Sequence, residues 1–148
     1  MKAPEFSLQD QNGHTHSLLD YAGKYILLYF YPKDMTPGCT TEACSIRDSM
    51  NDLKEKNIQV LGLSCDSIES HKKFAEKYEL NFPLLADVDK QVVNDYGVWV
   101  EKSMYGKKYM GIQRDSFLIS PDGKIVKHYE KVKPEMHVAE VLNDMKEL

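Results

Sequence analysis

The apolar positions of this chain fall into two rhythms, one of continuous or alternating runs and one of helical stripes, and each switch between them marks an element. Phe6 to Gln9 and Thr15 to Leu18 flank the polar turn Asp10-Gln-Asn-Gly13, which predicts a short N-terminal β-hairpin. Tyr25 to Tyr31 (YILLYFY) is apolar at consecutive positions, as expected of a strand buried on both faces in the middle of a sheet. Pro32 stops it, and a loop holding Pro37 and Gly38 follows. From about Cys39 to Lys56 the spacing of Ala43, Ile46, Met50 and Leu53 is helical. Ile58 to Ser64 (IQVLGLS) predicts a second core strand, parallel to the first because a helix connects them. Asp66 with Glu69 reads as a capping pair for a helix carrying Phe74, Ala75 and Tyr78. A shorter helix near Lys90 to Tyr96 ends at Gly97, a residue suited to a left-handed cap. Ser116 to Ser120 and Ile125 to Tyr129 flank Pro121-Asp-Gly123 and predict an antiparallel hairpin. Pro134 opens a last helix with the stripe Val138, Val141, Leu142 and Met145.

The order is hairpin, β, α, β, α, α, β-hairpin, α. It predicts an α/β fold with a mixed central sheet flanked by helices, and a thioredoxin-like fold has this order. No repeat, linker or low-complexity tract interrupts it, so residues 1–148 read as a single domain. Glu101 to Gly111 (EKSMYGKKYMG) is polar, lysine-rich and glycine-bearing, and reads as a flexible loop.

Composition narrows the function classes. The chain is 42% hydrophobic and 28% charged with a formal net charge of -4, which excludes a disordered chain or a coiled coil. Positive and negative side chains are mixed without a basic stripe, which argues against nucleic acid as a partner. The longest apolar run is too short to span a bilayer, and Met1-Lys-Ala-Pro-Glu5 lacks the apolar stretch of a secretory signal, so the expectation is a cytoplasmic protein with no membrane contact. Three cysteines, Cys39, Cys44 and Cys65, do not suggest a secreted disulfide framework.

The chemistry concentrates in Pro32-Lys-Asp-Met-Thr36-Pro-Gly-Cys39-Thr-Thr-Glu42-Ala-Cys44. Cys39 falls past the end of a central parallel strand, where open α/β sheets bind ligands, and at the start of a helix. Unpaired backbone N–H groups there favour a thiolate, so its pKa is expected below the free value of about 8.5. Thr36 is placed to bond the sulfur or an incoming oxygen, and Pro32 and Pro37 stiffen the loop. The competing reading is a small buried hydrophobe at the head of the helical stripe.

Pro32-x-x-x-Thr36-x-x-Cys39 matches the active-site pattern of the peroxiredoxins, and the extended segment to Cys44 resembles the bacterioferritin comigratory protein (PrxQ) subgroup. The likeness extends to Pro4-Glu-Phe-Ser-Leu8, Phe74-Ala-Glu-Lys-Tyr78, Tyr96-Gly-Val-Trp99 and Arg114-x-Ser-Phe-Leu-Ile119. The resemblance implies a thiol peroxidase acting on hydrogen peroxide and organic hydroperoxides. In it Cys39 is the peroxidatic cysteine, oxidised to a sulfenic acid. Thr36 and Arg114 bond the peroxide, Pro32 shields the thiolate and Glu42 orients the arginine. Cys44 is the resolving cysteine, closing a disulfide that a thioredoxin or similar dithiol reduces. The resemblance also implies a monomer or weak dimer and no metal, haem or flavin cofactor. Without it, Arg114 could be a surface arginine at a strand edge.

Helix geometry qualifies the role of Cys44. Five helical residues rise about 7.5 Å and turn about 140°, leaving Cα atoms roughly 8–9 Å apart. A disulfide needs about 7 Å or less, so the first turn must unwind before the bridge closes. Cys65 follows a core strand at the same sheet edge and reads as a buried thiol, with a rival resolving role left open. A zinc site at Cys39 and Cys44 is not expected, because no nearby histidine completes a ligand set. His14 and His16 read as surface groups, and His71, His128 and His137 as scattered. Three other readings stay open at this point. A thiol–disulfide oxidoreductase would want Cys where Glu42 stands. A redox-sensing module would show no turnover, and a Cys–His hydrolase would need a histidine brought in by the fold.

Overall fold

A computed structural model describes residues 1–148. Its centre is a five-stranded sheet ordered β5-β4-β3-β8-β9. Strands β3 (Tyr25–Phe30), β4 (Ile58–Ser64) and β5 (Leu84–Ala86) are parallel; β8 (Ser116–Ile119) pairs antiparallel with β3, and β9 (Ile125–Tyr129) antiparallel with β8. Strand β3 lies between β4 and β8, and the last five of its six residues are buried. That explains its unbroken apolar run: both faces are covered.

Two hydrophobic clusters cover those faces. On one, Leu27 and Tyr29 meet Ala43, Ile46, Met50, Leu53, Phe74, Val138 and Val141 from the helices α1 (Pro37–Asp48), α2 (Met50–Glu55), α3 (Ile68–Tyr78) and α5 (His137–Met145). On the other, Ile26, Leu28 and Phe30 meet Val92 and Val93 of α4 (Gln91–Asp95) together with Phe6, Tyr96 and Phe117. This is the thioredoxin-like α/β architecture expected from the element order. The N-terminal hairpin is also present, as β1 (Ser7–Gln9) and β2 (Thr15–Ser17), in a two-stranded sheet of its own.

Four expectations need correction. The helix expected over Cys39 to Lys56 is two helices, because Ser49 at φ -105°, ψ 8° leaves the helical region. Asp48 and Ser49 are weak helix formers whose side chains compete for backbone bonds. The cap of α3 is Ser67, whose hydroxyl accepts from the Ser70 N–H at 3.1 Å, and Asp66 is used elsewhere. The last helix starts at His137 rather than Pro134, after a turn closed by Met136 N–H on the Lys133 carbonyl. The segment read as a flexible loop is a regular antiparallel hairpin, β6 (Trp99–Met104) with β7 (Lys107–Ile112), in register from Trp99↔Ile112 to Met104↔Lys107. Its two-residue turn, Tyr105 at φ 52° and Gly106 at φ 79°, has the positive dihedrals that favoured hairpin turns require.

Candidate active site

The site lies at the C-terminal edge of the parallel strands, where β3 gives way to the loop 31–36 and then to α1. Thr36 is the N-cap of α1, Pro37 occupies the first helical position and Cys39 the third. Cys39 is 1% exposed, with Ala43 and Ile46 buried behind it on the same helix face. The helix head therefore presents its backbone N–H groups close to the sulfur.

Across from the sulfur stands Arg114, two residues before β8 and tied to the chain by the Val132 N–H on its carbonyl at 2.7 Å. Its Nη2 donates to Cys39 Sγ at 3.3 Å and its Nη1 to Glu42 Oε1 at 2.9 Å. Cys39, Glu42 and Arg114 thus form one contact set although the arginine is far away in sequence. Gly38 makes that approach possible: a Cβ at this position would sit 3.0 Å from Arg114 Nη2 and 3.7 Å from Pro134 Cγ. Sequence reasoning left Gly38 as a loop residue, with nothing local to mark a close contact.

The electrostatics of the Arg114–Glu42 pair are asymmetric. At Glu42, 1% exposed, burial outweighs the charge and hydrogen bond of Arg114 and pushes the carboxyl from 4.5 up to about 7. At Arg114, burial acts downward, but Cys39 and Glu42 outweigh it and raise the guanidinium further. The difference follows from exposure: 17% of the arginine side chain reaches solvent, against 1% for the glutamate. The second carboxyl oxygen, Oε2, is buried without a hydrogen-bond partner.

The other expected site residues are placed less uniformly. Thr36 turns its hydroxyl to the Lys33 carbonyl, at 2.9 Å, and not to the sulfur. Pro32 is half-buried and lines a groove shared with Lys33, Cys65, Lys102 and Tyr109. Cys44 is half-buried inside intact α1, and both it and Cys39 are free thiols. The helix therefore keeps the two sulfurs' backbone positions beyond bridging distance. Cys65 is half-buried, and burial followed by the charge of Asp87 pushes its thiol up to about 11, which makes it a poor nucleophile.

Beside Arg114 opens a groove of about 520 Å³ lined by Lys102, Tyr109, Gln113, Arg114 and Val132. Lys102 was not foreseen. It comes from β6; burial and then the Arg114 charge hold its ammonium below the usual lysine range. Among other donor sets, Asp34, Asp66 and His71 bring one atom each within 4.8 Å of one another. Those atoms are already engaged in hydrogen bonds with each other's residues and with Ser64 and Ser70. The histidines are less scattered than expected. His16 bonds Asp10, and His71 and His137 are fully buried.

Residues 1–128 match the model of the AhpC/TSA family. The peroxiredoxin Bcp of Bacillus subtilis (strain 168) is 50% identical over 147 residues, covering 99% of this chain and 94% of that protein. The peroxiredoxin Bcp of Escherichia coli (strain K12) is 52% identical over 145 residues, covering 98% and 93%. Among solved structures, the bacterioferritin comigratory protein of Xanthomonas campestris, studied for alkyl peroxide reduction, superposes with a TM-score of 0.91. It is 38% identical, over 96% of this chain and 90% of that one.

Proposed function

The chain belongs to the AhpC/TSA family, alongside the Bcp and PrxQ peroxiredoxins, and from that premise we propose that it reduces hydroperoxides at Cys39. It is a thiol-dependent peroxidase, with a peroxide as substrate and a thioredoxin-type dithiol as reductant. The observation that carries the residue assignment is the 3.3 Å contact of Arg114 Nη2 with Cys39 Sγ at the head of a helix. A guanidinium and backbone N–H groups there place positive charge beside the atom that must be negative to attack.

The reaction follows in two stages. The Cys39 thiolate attacks the distal oxygen of ROOH, the O–O bond breaks, and the leaving RO⁻ takes a proton to become ROH. Arg114 is placed to stabilise the charge that develops on the oxygens, while Glu42 holds the other arm of the guanidinium. Pro32 shields the sulfur, and Thr36 turns its hydroxyl from the Lys33 carbonyl to the incoming peroxide. The resulting Cys39 sulfenic acid is attacked by the Cys44 thiolate after the first turns of α1 open. The S–O bond breaks, water leaves after protonation, and a Cys39–Cys44 disulfide forms. A dithiol protein then reduces it by exchange.

All the assigned side chains come from one copy, so a monomer is sufficient for turnover, and the two apolar clusters on one sheet support reading residues 1–148 as one working unit. No helix is long and apolar enough to cross a membrane. Three free thiols fit a reducing compartment, and we place the activity in the cytoplasm. The test is peroxide consumption with a thioredoxin system. Wild type should turn over, Cys39→Ser should not, and turnover surviving Cys39→Ser would overturn the assignment.

A further inference from the structure

We propose that Asp34 and His71 are positioning residues for the attack of Cys39, acting as a buried latch on the loop that carries the helix head. The inference rests on the peroxidase reading above. The loop runs from the end of β3 to Thr36, and Asp34 is its anchored point. Its carboxylate is almost fully buried. It accepts the Tyr31 hydroxyl at 2.6 Å and the Ser70 hydroxyl at 2.8 Å, and faces His71 Nδ1 at 2.7 Å. Its backbone N–H donates to Asp66 Oδ2 at 2.8 Å. The loop is thus fastened to the head of α3 and the end of β4.

His71 uses both ring nitrogens. Its Nε2 lies 2.9 Å from the Leu85 carbonyl, which can only accept, so this nitrogen carries a hydrogen. Its Nδ1 faces the Asp34 carboxylate at 2.7 Å in a dry site. One imidazole therefore ties β5, α3 and the loop together.

A separate observation shows that the loop is held under load. Met35, next to Asp34, has φ 66°, a left-handed conformation that costs a non-glycine residue energy. Such strain persists where the surroundings over-determine the backbone, and it gathers near functional sites. The Met35 side chain is 42% exposed, so its own packing is not the main restraint; the bonds of Asp34 are. The sulfur three residues beyond Thr36 must meet Arg114, which is mounted on a different element. A shift of the loop changes that meeting without touching either residue, and errors near 1 Å in reacting groups cost on the order of a hundredfold in rate. Neither Asp34 nor His71 is bonded to Cys39, Arg114 or Glu42, so both act through the loop.

Two substitutions at His71 separate positioning from bulk stability. In His71→Asn the amide nitrogen takes the place of Nδ1 and keeps the bond to Asp34, losing Leu85. In His71→Gln it takes the place of Nε2, keeps Leu85 and loses Asp34. Each variant keeps one of the two bonds, and Tm is measured for both so that rates are compared only between folded proteins. Single-turnover oxidation of Cys39 by hydrogen peroxide, read by rapid quench and mass spectrometry, should be slowed at least tenfold in His71→Gln, with most of the rate restored in His71→Asn. Equal rates in the two folded variants would overturn the latch. If His71→Gln does not fold, Ser70→Ala carries the test: it should slow oxidation severalfold, and a wild-type rate would overturn the proposal. Wild type in the same assay reports on the peroxidase reading itself, so a failure of that reading shows as an unoxidised Cys39 in every sample.

Discussion

Replacing Glu42 by Gln should flatten the pH dependence of stability, because Glu42 is a carboxyl buried beyond what its arginine can compensate. Its folded pKa is raised from 4.5 to about 7, chiefly by burial. A raised folded value means the native state favours the protonated form. The stability it contributes is fully present below 4.5, is lost as pH rises between 4.5 and 7, and is gone above 7. At roughly 1.4 kcal/mol per unit, the loss between pH 5 and pH 8 is about 2 to 3 kcal/mol. Glutamine keeps the shape and can accept from Arg114 Nη1 through its amide oxygen, but has no proton to lose. The assay is urea unfolding of both proteins, reduced, at pH 5 and pH 8. Other titrating groups are shared, so they cancel in the difference between the two proteins. The wild type should lose about 2 to 3 kcal/mol relative to Glu42→Gln on going to pH 8. Parallel stabilities at the two pH values, or a wild type that gains on the variant, would refute the claim that burial dominates Arg114 at this carboxyl.

Three other outcomes follow from the same geometry. Arg114→Lys supplies a point charge that cannot bond Sγ and Glu42 with two arms, so kcat/KM for peroxide should fall about 10²- to 10³-fold while the fold persists by circular dichroism. Cys44→Ser should leave the first oxidation of Cys39 unchanged but give no intramolecular disulfide, so mass spectrometry should show sulfenic acid passing on to sulfinic acid in excess peroxide. His137 is fully buried, neither ring nitrogen makes a hydrogen bond, Glu140 Oε1 lies 3.7 Å from Nδ1, and burial lowers its pKa from 6.5 to about 4. Its contribution is complete above 6.5 and lost as pH falls toward 4, so His137→Leu should lose about 3 kcal/mol less than wild type between pH 7 and pH 4 in urea unfolding.

Legibility followed burial. Strands β3 and β4 announced themselves because both faces are covered, and β8 and β9 because Pro121-Asp-Gly123 marks their turn. The β6–β7 hairpin did not, because much of it stands in solvent: Tyr105 is 98% exposed, and no buried face imposes an apolar alternation on its lysines. Strand β5 escaped because three residues behind Pro83 are too few to show a period. At the site, the thiol at a helix head could be argued from local physics, but its meeting with Arg114 could be anticipated only through family likeness. Gly38 and Lys102 had no local signature, since each matters through a neighbour supplied by another element. Asp34 and His71 were invisible for the same reason, being ordinary polar residues until the fold closes them together.

The most direct measurement of the central claim is the identity of the first sulfur oxidised. The reduced protein is mixed with one equivalent of hydrogen peroxide in the presence of a sulfenic-acid trap, and each cysteine peptide is quantified. The account predicts the tag on Cys39, absent from Cys65, with the signal on Cys39 growing in Cys44→Ser where the competing disulfide cannot form. A tag first on Cys44 or Cys65, or a Cys39 that stays reduced while peroxide is consumed, would contradict it.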